Sequence, residues 1–432
     1  MDSFANVLNI TFFIFVDGTC DIQTLRKRVS TNILSRDSTG KRPYGILLNS
    51  TVEKFGFPCM SDESGRIDFT HHVRLCPGIE DDRVYAEHEF LDIVAKLGDF
   101  KWKESRPKWE FLIAPHVKLE GSEESCSGIA VKFHHLYVDG ISLAQFLRNC
   151  IFDQPVPKLI LDPVNPPLPP STIFSNVLLA LQILLLGPYI SLRLLGNDYD
   201  PILTEGPLNG GKLIGRTKMD ISLEMMRRIR KFHNCTTQTV LHSAFIGSLQ
   251  KMAKRKGVKL PDEILAGVVF ADFPYPDEFP RNNGCLGCEP VAINDSNLGD
   301  RLAKLNKSMV TLYRRKYDLK ACLILQALLG MYPAALIKFC SHLFKTSYYI
   351  SNVPGLDEAA KIEGNAVQLI FGIGPLFNRI RYQAGVGFYG GSFSISLYIE
   401  SSKLISNRNE MENWILEFEN EIRCLDKFTK AL

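Results

Sequence analysis

The sequence lacks an excess of charge of either sign. Among its 432 residues, 50 Lys and Arg stand against 47 Asp and Glu, a formal net charge of +3 at pH 7. Proteins that bind nucleic acid through its phosphates usually carry a strongly basic face. The near balance therefore argues against a nucleic acid partner, and we expect none.

The sequence also lacks the dense cysteines of a disulfide-stapled domain. The 11 cysteines are scattered and odd in number, whereas a disulfide-stapled secreted domain is shorter and denser in cysteine. We therefore expect reduced thiols in a cytosol-facing protein. Cys285 and Cys288 have CxxC spacing, but no second pair stands at zinc-ribbon spacing. A loop with two buried thiols is favoured over a metal or redox site.

The first residues lack the features of a signal peptide. The segment "MDSFANVLNITFFIFVDGT" has no basic region, carries Asp2, and its apolar run ends at Asp17. A secretory signal needs a basic start and a cleavage site after its apolar core. The segment is more typical of a buried β-strand.

What is abundant is apolar side chain, at 45% of residues against 22% charged, which predicts a globular protein with a large core. The length suggests two or three compact units. Strand and helix patterns alternate in both halves, so we predict an α/β fold with mixed sheets, divided into residues 1–152, 153–210 and 211–432. The predicted strands are 10–18, 108–117, 127–136, 263–273, 346–355, 366–374 and 384–401, and the predicted helices are 20–34, 82–97, 141–152, 222–234, 237–257, 300–316 and 411–428.

The middle unit combines a proline-rich linker with an apolar segment. Seven prolines within 153–171 favour extended backbone. The stretch 171–191 then has no charged residue and is almost long enough to span a bilayer, although Gly187 and Pro188 interrupt it. A membrane span, a surface or re-entrant helix, and a helix packed inside the protein all remain open. A second apolar stretch occupies 321–340.

The residues with the clearest chemistry lie in "VKFHHLYVDGIS", where His134 and His135 are followed by Asp139 and Gly140. A neutral imidazole can take a proton from an alcohol near pH 7. Asp139 could hold the turn through an Arg or bind the ring, and Gly140 would allow an unusual φ. A third metal ligand at HxxxH or HExxH spacing and a GxSxG elbow are both absent. The residues alone leave a structural turn and a catalytic base as alternatives.

Two further groups have simpler interpretations. His71 and His72 repeat the double histidine, and we expect a satisfied pair at the end of a strand. The basic run 251–259 is typical of a helix end that complements the helix dipole. It would alternatively meet the phosphates of coenzyme A or an anionic membrane.

Five segments resemble one known family. "HHLYVDG" matches the HHxxxDG motif of the CoA-dependent acyltransferases. In the same order, four more segments resemble the bifunctional wax ester synthase/diacylglycerol acyltransferase family: "RIDFTHHVRL" (66–75), "SRPKWEFLI" (105–113), "YYISNVPG" (348–355) and "GPLFNRIRYQAGVGFYGGSFSISL" (374–397).

The resemblance implies two chloramphenicol-acetyltransferase-like domains with a substrate tunnel between them. Acyl-CoA would enter from one face as co-substrate and the alcohol from the other, with no metal and no further cofactor. His135 would be the general base beside His134. Asp139 would be structural and paired with an Arg, next to Gly140. Ser351 and Asn352 would line the channel from the other half.

The expected function is therefore transfer of a long-chain acyl group to a fatty alcohol or to diacylglycerol, on the cytosolic side of the endoplasmic reticulum membrane or a lipid droplet. A short-chain alcohol acyltransferase and a non-catalytic lipid-binding protein of the same fold are the alternatives. Three departures from the family pattern bear on acceptor preference. They are Gln238–Thr239 in place of an Asn-Asp pair, "NNGCLG" (282–287) in place of a Gly-Asn loop, and Leu356 in place of Pro.

Overall fold

A computed structural model describes most of the chain, namely residues 8–98, 102, 106–154, 172–196, 211–271, 279–294, 297–314, 324, 332–336, 346–353, 355–356, 358–376 and 380–431. The strands are β1 (Asn9–Asp17), β2 (Asn49–Lys54), β3 (Phe57–Asp62), β4 (Val73–Leu75), β5 (Tyr85–Ala86), β6 (Trp109–Lys118), β7 (Ser125–His134), β8 (Lys212–Arg216), β9 (Ile221–Ser222), β10 (Glu263–Ala271), β11 (Gly284–Ala292), β12 (Tyr348–Asn352), β13 (Lys361–Ile362), β14 (Asn365–Ile373), β15 (Tyr382–Tyr389) and β16 (Ser392–Glu400). The helices are α1 (Ile22–Leu34), α2 (Phe69–His72), α3 (Glu87–Leu97), α4 (Gly140–Phe146), α5 (Ile173–Gly196), α6 (Leu223–His233), α7 (Thr237–Arg255), α8 (Leu298–Arg314) and α9 (Arg408–Ala431).

The first sheet has the strand order β13-β14-β1-β7-β6-β4, with β5 also on β6. Its central strand β1 is almost continuously apolar because both faces are covered. Phe12 and Ile14 pack into the core under α1 and α4, whereas Phe13 and Phe15 pack into a second core with α3. The alternation follows from the two-residue period of a strand.

The second sheet has the order β11-β10-β12-β15-β16-β8, with β9 also on β16. Helices α7 and α9 cover one of its faces and bury Phe245 and Trp414, whose rings meet edge to face at 5.3 Å. The mixed α/β class predicted from the sequence is confirmed.

The two sheets share chain segments. β13 and β14 follow the second sheet's β12 in sequence, yet β14 pairs antiparallel with β1 of the first sheet. The backbones then meet closely, because Ser396 Oγ donates to Gly372 O at 2.5 Å and a Cβ on Gly385 would stand 2.0 Å from that oxygen. The predicted boundary between 1–152 and 211–432 therefore divides the sequence but not the two sheets. Both sheets contain strands from residues 211–432.

Three local features differ from the expectations. Helix α3 begins at Glu87, five residues later than predicted, because Tyr85 and Ala86 pair with β6. The hairpin β2–β3 was not predicted, since its apolar alternation is weak. The predicted loop around Cys285 is strand β11. Of the apolar stretch 321–340, only residues 324 and 332–336 are among those described.

Helix α5 exposes a continuous apolar face. At about 100° per residue its exposed apolar side chains fall within roughly 140° of the circumference. They are 46% to 87% exposed and comprise Ile173, Phe174, Val177, Leu178, Leu181, Leu184 and Leu185. The interpretation as a helix packed inside the protein is therefore wrong for this face. Within the described parts of the chain, no helix reaches the length and hydropathy that a membrane crossing requires.

Candidate active site

The double histidine lies where β7 ends. The strand is held between β1 and β6, and its last residue is His134. Backbone bonds then fix the turn: His134 N–H donates to Lys108 O at 2.9 Å and His135 N–H to Leu8 O at 2.7 Å. Tyr137 N–H returns to His134 O at 3.1 Å. The sequence therefore places both imidazoles on a rigid strand end.

The two rings have different environments. His134 is buried, and its Nδ1 accepts the N–H of Leu136 at 3.1 Å. Nδ1 is thus an acceptor in a local turn, which is a structural role. His135 is half-buried as a residue, but its Nδ1 is sealed from solvent and has no hydrogen-bond partner among the described residues.

Burial lowers the pKa of His135 below the ordinary histidine value. The Asp139 carboxylate, the residue's own backbone and the Asn282 side chain raise this pKa and counteract part of the effect. The imidazole is therefore neutral at neutral pH. A neutral ring with a nearby carboxylate can accept a proton and hold it.

Asp139 is the N-cap of α4. Its Oδ1 accepts the N–H of Ser142 at 2.9 Å, and its Oδ2 accepts the N–H of Asn283 at 2.8 Å. The first bond starts the helix, and the second joins the motif to a loop before β11. The structural role implied for Asp139 thus has a physical basis in two backbone N–H groups. The negative charge of the carboxylate also raises the pKa of His135.

Gly140 is required for a different reason from the one expected. It does not have a positive φ, so the prediction of an unusual backbone conformation is wrong. A Cβ at this position would instead stand 2.7 Å from Cγ2 of Val353. Glycine allows the start of α4 to approach the Ser-Asn-Val strand end of the second sheet.

The second half contributes Ser351 and Asn352 at the end of β12, directly before Val353. Ser351 is half-buried and Asn352 is exposed. Because side chains alternate along a strand, Ser351 shares the face of Tyr349, whose hydroxyl donates to Pro375 O at 2.7 Å near the junction of the sheets. Asn352 lies on the other face. The structure thus places both residues within two positions of the Gly140 contact.

A small apolar pocket with a cavity volume of about 30 Å³ lies one turn along α4 from the motif. Ala144 is four residues after Gly140 and therefore on the same side of the helix. The lining side chains include Phe12, Ala144, Leu147, Val353, Ile370 and Phe388. The pocket is suited to hydrocarbon, since it presents scarcely any polar atoms.

The other sequence candidates have structural roles. His72 is buried, with Nδ1 2.6 Å from Trp109 O and its ring stacked on that indole. Cys285 and Cys288 lie three apart on β11 and so point to opposite faces, which rules out joint metal binding. Among the described residues no cluster of three metal-ligating side chains occurs.

The basic run 251–259 pairs with glutamates of α9. Lys251 Nζ lies 2.9 Å from Glu421 and 3.2 Å from Glu417, and Lys256 Nζ lies 2.5 Å from Glu410. These cations join α7 to the last helix. Ion pairs with the last helix therefore account for Lys251 and Lys256 without a ligand.

One residue of the site escaped the sequence reasoning. Asn282 raises the pKa of His135, yet it lies 147 positions further along the chain in a segment noted only as a departure from a Gly-Asn loop. That departure was the one signal available, and the contact depends on long-range folding.

Comparisons with known proteins find one matching domain and several structures with a similar fold. The WS/DGAT C-terminal domain model matches residues 288–411. The structure of the wax ester synthase/diacylglycerol acyltransferase from Marinobacter aquaeolei VT8 is similar with a TM-score of 0.61 at 15% identity, over 98% of this chain and 95% of that one. No curated protein matches in sequence.

Two synthetase domains have a similar fold. The first condensation domain of the calcium-dependent antibiotic synthetase is similar with a TM-score of 0.56 at 12% identity, over 98% of this chain and 92% of that domain. The epimerization domain from the third module of tyrocidine synthetase B is similar with a TM-score of 0.56 at 8% identity, over 99% of this chain and 93% of that domain. Residues 288–411 thus match the WS/DGAT C-terminal domain, and the chain shares its fold with the wax ester synthase/diacylglycerol acyltransferase structure and with these synthetase domains.

Proposed function

We propose that the protein is an O-acyltransferase that moves a long-chain acyl group from acyl-CoA to a hydrophobic alcohol. A fatty alcohol would give a wax ester, and diacylglycerol would give triacylglycerol. The observation that carries the proposal is His135, a neutral imidazole at the meeting of both halves, on a fold shared with a wax ester synthase. The domain match at 288–411 supports the same reaction class.

In the proposed reaction His135 takes the proton from the acceptor hydroxyl. The oxygen attacks the thioester carbonyl and forms a tetrahedral intermediate. That intermediate collapses to the ester and expels the thiolate of coenzyme A, which recovers the proton from the imidazolium. General-base catalysis of this kind contributes about 10²- to 10⁴-fold to the rate. The chain supplies the base, while the nucleophile is the substrate's own hydroxyl.

The small pocket beside Gly140 supports a hydrocarbon substrate by the nature of its side chains and not by its size. Its lining is apolar, and it begins one helical turn from the motif. A chain of methylene groups gains about 0.8 kcal/mol for each CH₂ removed from water. A short acetyl group would forgo most of that gain.

The test is product analysis with purified protein. Palmitoyl-CoA is offered with hexadecanol and with dioleoylglycerol in parallel, and acetyl-CoA with a short alcohol serves as the comparison. We expect ester from palmitoyl-CoA, and a rate lower by about 100-fold or more with the His135→Ala variant. Ester formed only from the short substrates would favour the short-chain alternative. A folded protein without product from any pair would contradict the proposal.

We also propose that α5 docks the enzyme on the cytosolic surface of a membrane or lipid droplet, where these substrates dissolve. The exposed apolar face of the helix supports this, since such faces sink into the headgroup boundary of a bilayer. Both halves build one site, so both would stay on one side.

Vesicle flotation tests this docking. Phe174, Leu181 and Leu185 are replaced by Ser, and the matched control replaces Ser175 and Gln182 by Ala on the opposite side of the helix. We expect the triple Ser variant not to float with phosphatidylcholine vesicles, whereas the control variant still does. The triple Ser variant should keep its activity on short substrates. Equal binding of both variants would contradict the docking, and protease protection of residues 211–314 in sealed microsomes would contradict the topology.

A further inference from the structure

A short loop of the second half is held against the motif turn. Asp139 N–H donates to Arg281 O at 2.9 Å, and Ser142 Oγ donates to the same oxygen at 2.8 Å. Asn283 N–H donates to Asp139 Oδ2 at 2.8 Å. The residues on both sides of Asn282 are therefore fixed to the start of α4, which leaves little freedom for Asn282 itself.

Two buried atoms at this place have no hydrogen bond among the residues described, Nδ1 of His135 and Oδ1 of Asn282. Buried polar atoms in folded proteins nearly always find partners, so an unmatched pair calls for a reason. The two are chemically complementary, because an imidazole N–H donates and an amide oxygen accepts. The amide also acts on the ring, since it raises the pKa of His135.

We propose that Asn282 is a positioning residue for the base, with its Oδ1 accepting the Nδ1–H of His135. This inference rests on the proposed acyl transfer. The bond holds the ring in the tautomer whose lone pair is on Nε2, the nitrogen left to face the acceptor hydroxyl. It shortens as the ring becomes charged, because a hydrogen bond from a cation is stronger than one from a neutral group. Such bonds are often long before substrate binds.

The arrangement has a consequence for pH dependence. An acceptor on Nδ1 favours the protonated ring and so raises the pKa of His135. Asp139, which faces the same ring, acts in the same direction. Without Asn282 the pKa of His135 falls. The acid limb, the decline of kcat/KM at low pH where the base becomes protonated, then moves to lower pH, and the maximal rate also declines. A residue that acted on folding alone would lower the amount of active enzyme and leave the limb in place.

The test uses full-length Asn282→Ala and Asn282→Asp, with Asn283→Ala as matched control because its bond to Asp139 comes from the backbone. Asn282→Ala should lose about 10- to 100-fold in kcat, a part of the general-base contribution. Its acid limb should move to lower pH. Asn282→Asp keeps the acceptor, so it should retain most activity and move the limb to higher pH. Asn283→Ala should match wild type.

An NMR titration of the His135 imidazole separates this inference from the proposed function. We expect a lower pKa for His135 in Asn282→Ala than in wild type, whatever the substrate. If wild type makes no ester but this shift occurs, the proposed function fails and the contact stands. The inference is overturned if both Asn282 variants have the same His135 pKa as wild type while their thermal unfolding curves show that each is folded.

Discussion

The molecule contains two His-His pairs, and they show how the same sequence feature acquires different roles. In the first pair, His72 is buried on the indole of Trp109, with ring centroids 4.3 Å apart and Nδ1 2.6 Å from the Trp109 carbonyl. In the second, the Nδ1 of His135 is buried with no partner among the described residues. Burial lowers the pKa of both rings, that of His72 to about 4.

The difference lies in the contacts made across the fold. His72 is satisfied by its own sheet, whereas His135 is surrounded by Asp139 and by Asn282 from the second half. A third buried ring resembles the first, since His242 Nδ1 lies 2.8 Å from the Tyr348 hydroxyl. A shifted pKa therefore does not identify the base. Spare hydrogen-bonding capacity where the two halves meet is the better indicator.

The largest expected effect contrasts the two pairs directly. His135→Ala should lower kcat by roughly two orders of magnitude or more, the scale of a lost general base. It should leave the melting temperature near that of wild type. His72→Ala should do the reverse, because it removes the buried hydrogen bond from the imidazole to the Trp109 carbonyl, a loss of about 1–3 kcal/mol in the free energy of unfolding.

Ester formation and thermal unfolding are measured on the same preparations. His134→Ala is the neighbouring control. We expect a smaller rate loss than for His135→Ala, because the Nδ1 of His134 already accepts a hydrogen bond in the local turn. Near-normal turnover of folded His135→Ala would show that His135 is not the general base and that the two pairs do not differ in this role.

A second comparison sets Asp139 against Asp21, which also caps a helix. Asp21 is exposed and accepts only from the first turn of α1, at Gln23 and Thr24. Asp139 is buried and also holds the N–H of Asn283 from the second half. Asp139→Ala should therefore cost roughly 2–4 kcal/mol of unfolding free energy, from the cap and the orphaned N–H together. Asp21→Ala should cost only the cap, about 0.5–2 kcal/mol.

Urea unfolding of both variants gives the two values. If Asp139→Ala unfolds like wild type and yet is inactive, the carboxylate serves the chemistry of His135 and not the fold.

Much of the fold and the motif turn were predictable from local patterns. The apolar run of β1 and the helical spacing of α1 gave elements within a few residues of those observed. The placement of β14 in the first sheet was not predictable, because strand pairing over more than 350 residues leaves no local pattern. The same limit hid the contact of Val353 with Gly140 and that of Asn282 with His135.

The smallest expected effect concerns His72 of the first pair, which should make the free energy of unfolding fall at acid pH. The pKa of His72 is about 4 in the folded protein because burial disfavours the charged ring, against an ordinary value of 6.5. The folded state therefore binds fewer protons than the unfolded state between these values. Its stabilising contribution is complete above pH 6.5 and declines as the pH falls toward 4. The slope approaches 1.4 kcal/mol per pH unit for one proton.

His72→Asn removes this titration, while its amide can still donate to the Trp109 carbonyl. We expect the free energy of unfolding to fall less steeply between pH 6.5 and 4.5 in His72→Asn than in wild type, by about one proton's slope. Urea unfolding at pH 7, 6 and 5 measures both slopes, and the carboxylates common to the two proteins cancel in the difference. His242, whose pKa is lowered to about 3, continues to contribute in both. Equal slopes would show that folding does not lower the pKa of His72 and that burial on Trp109 is not what separates the two pairs.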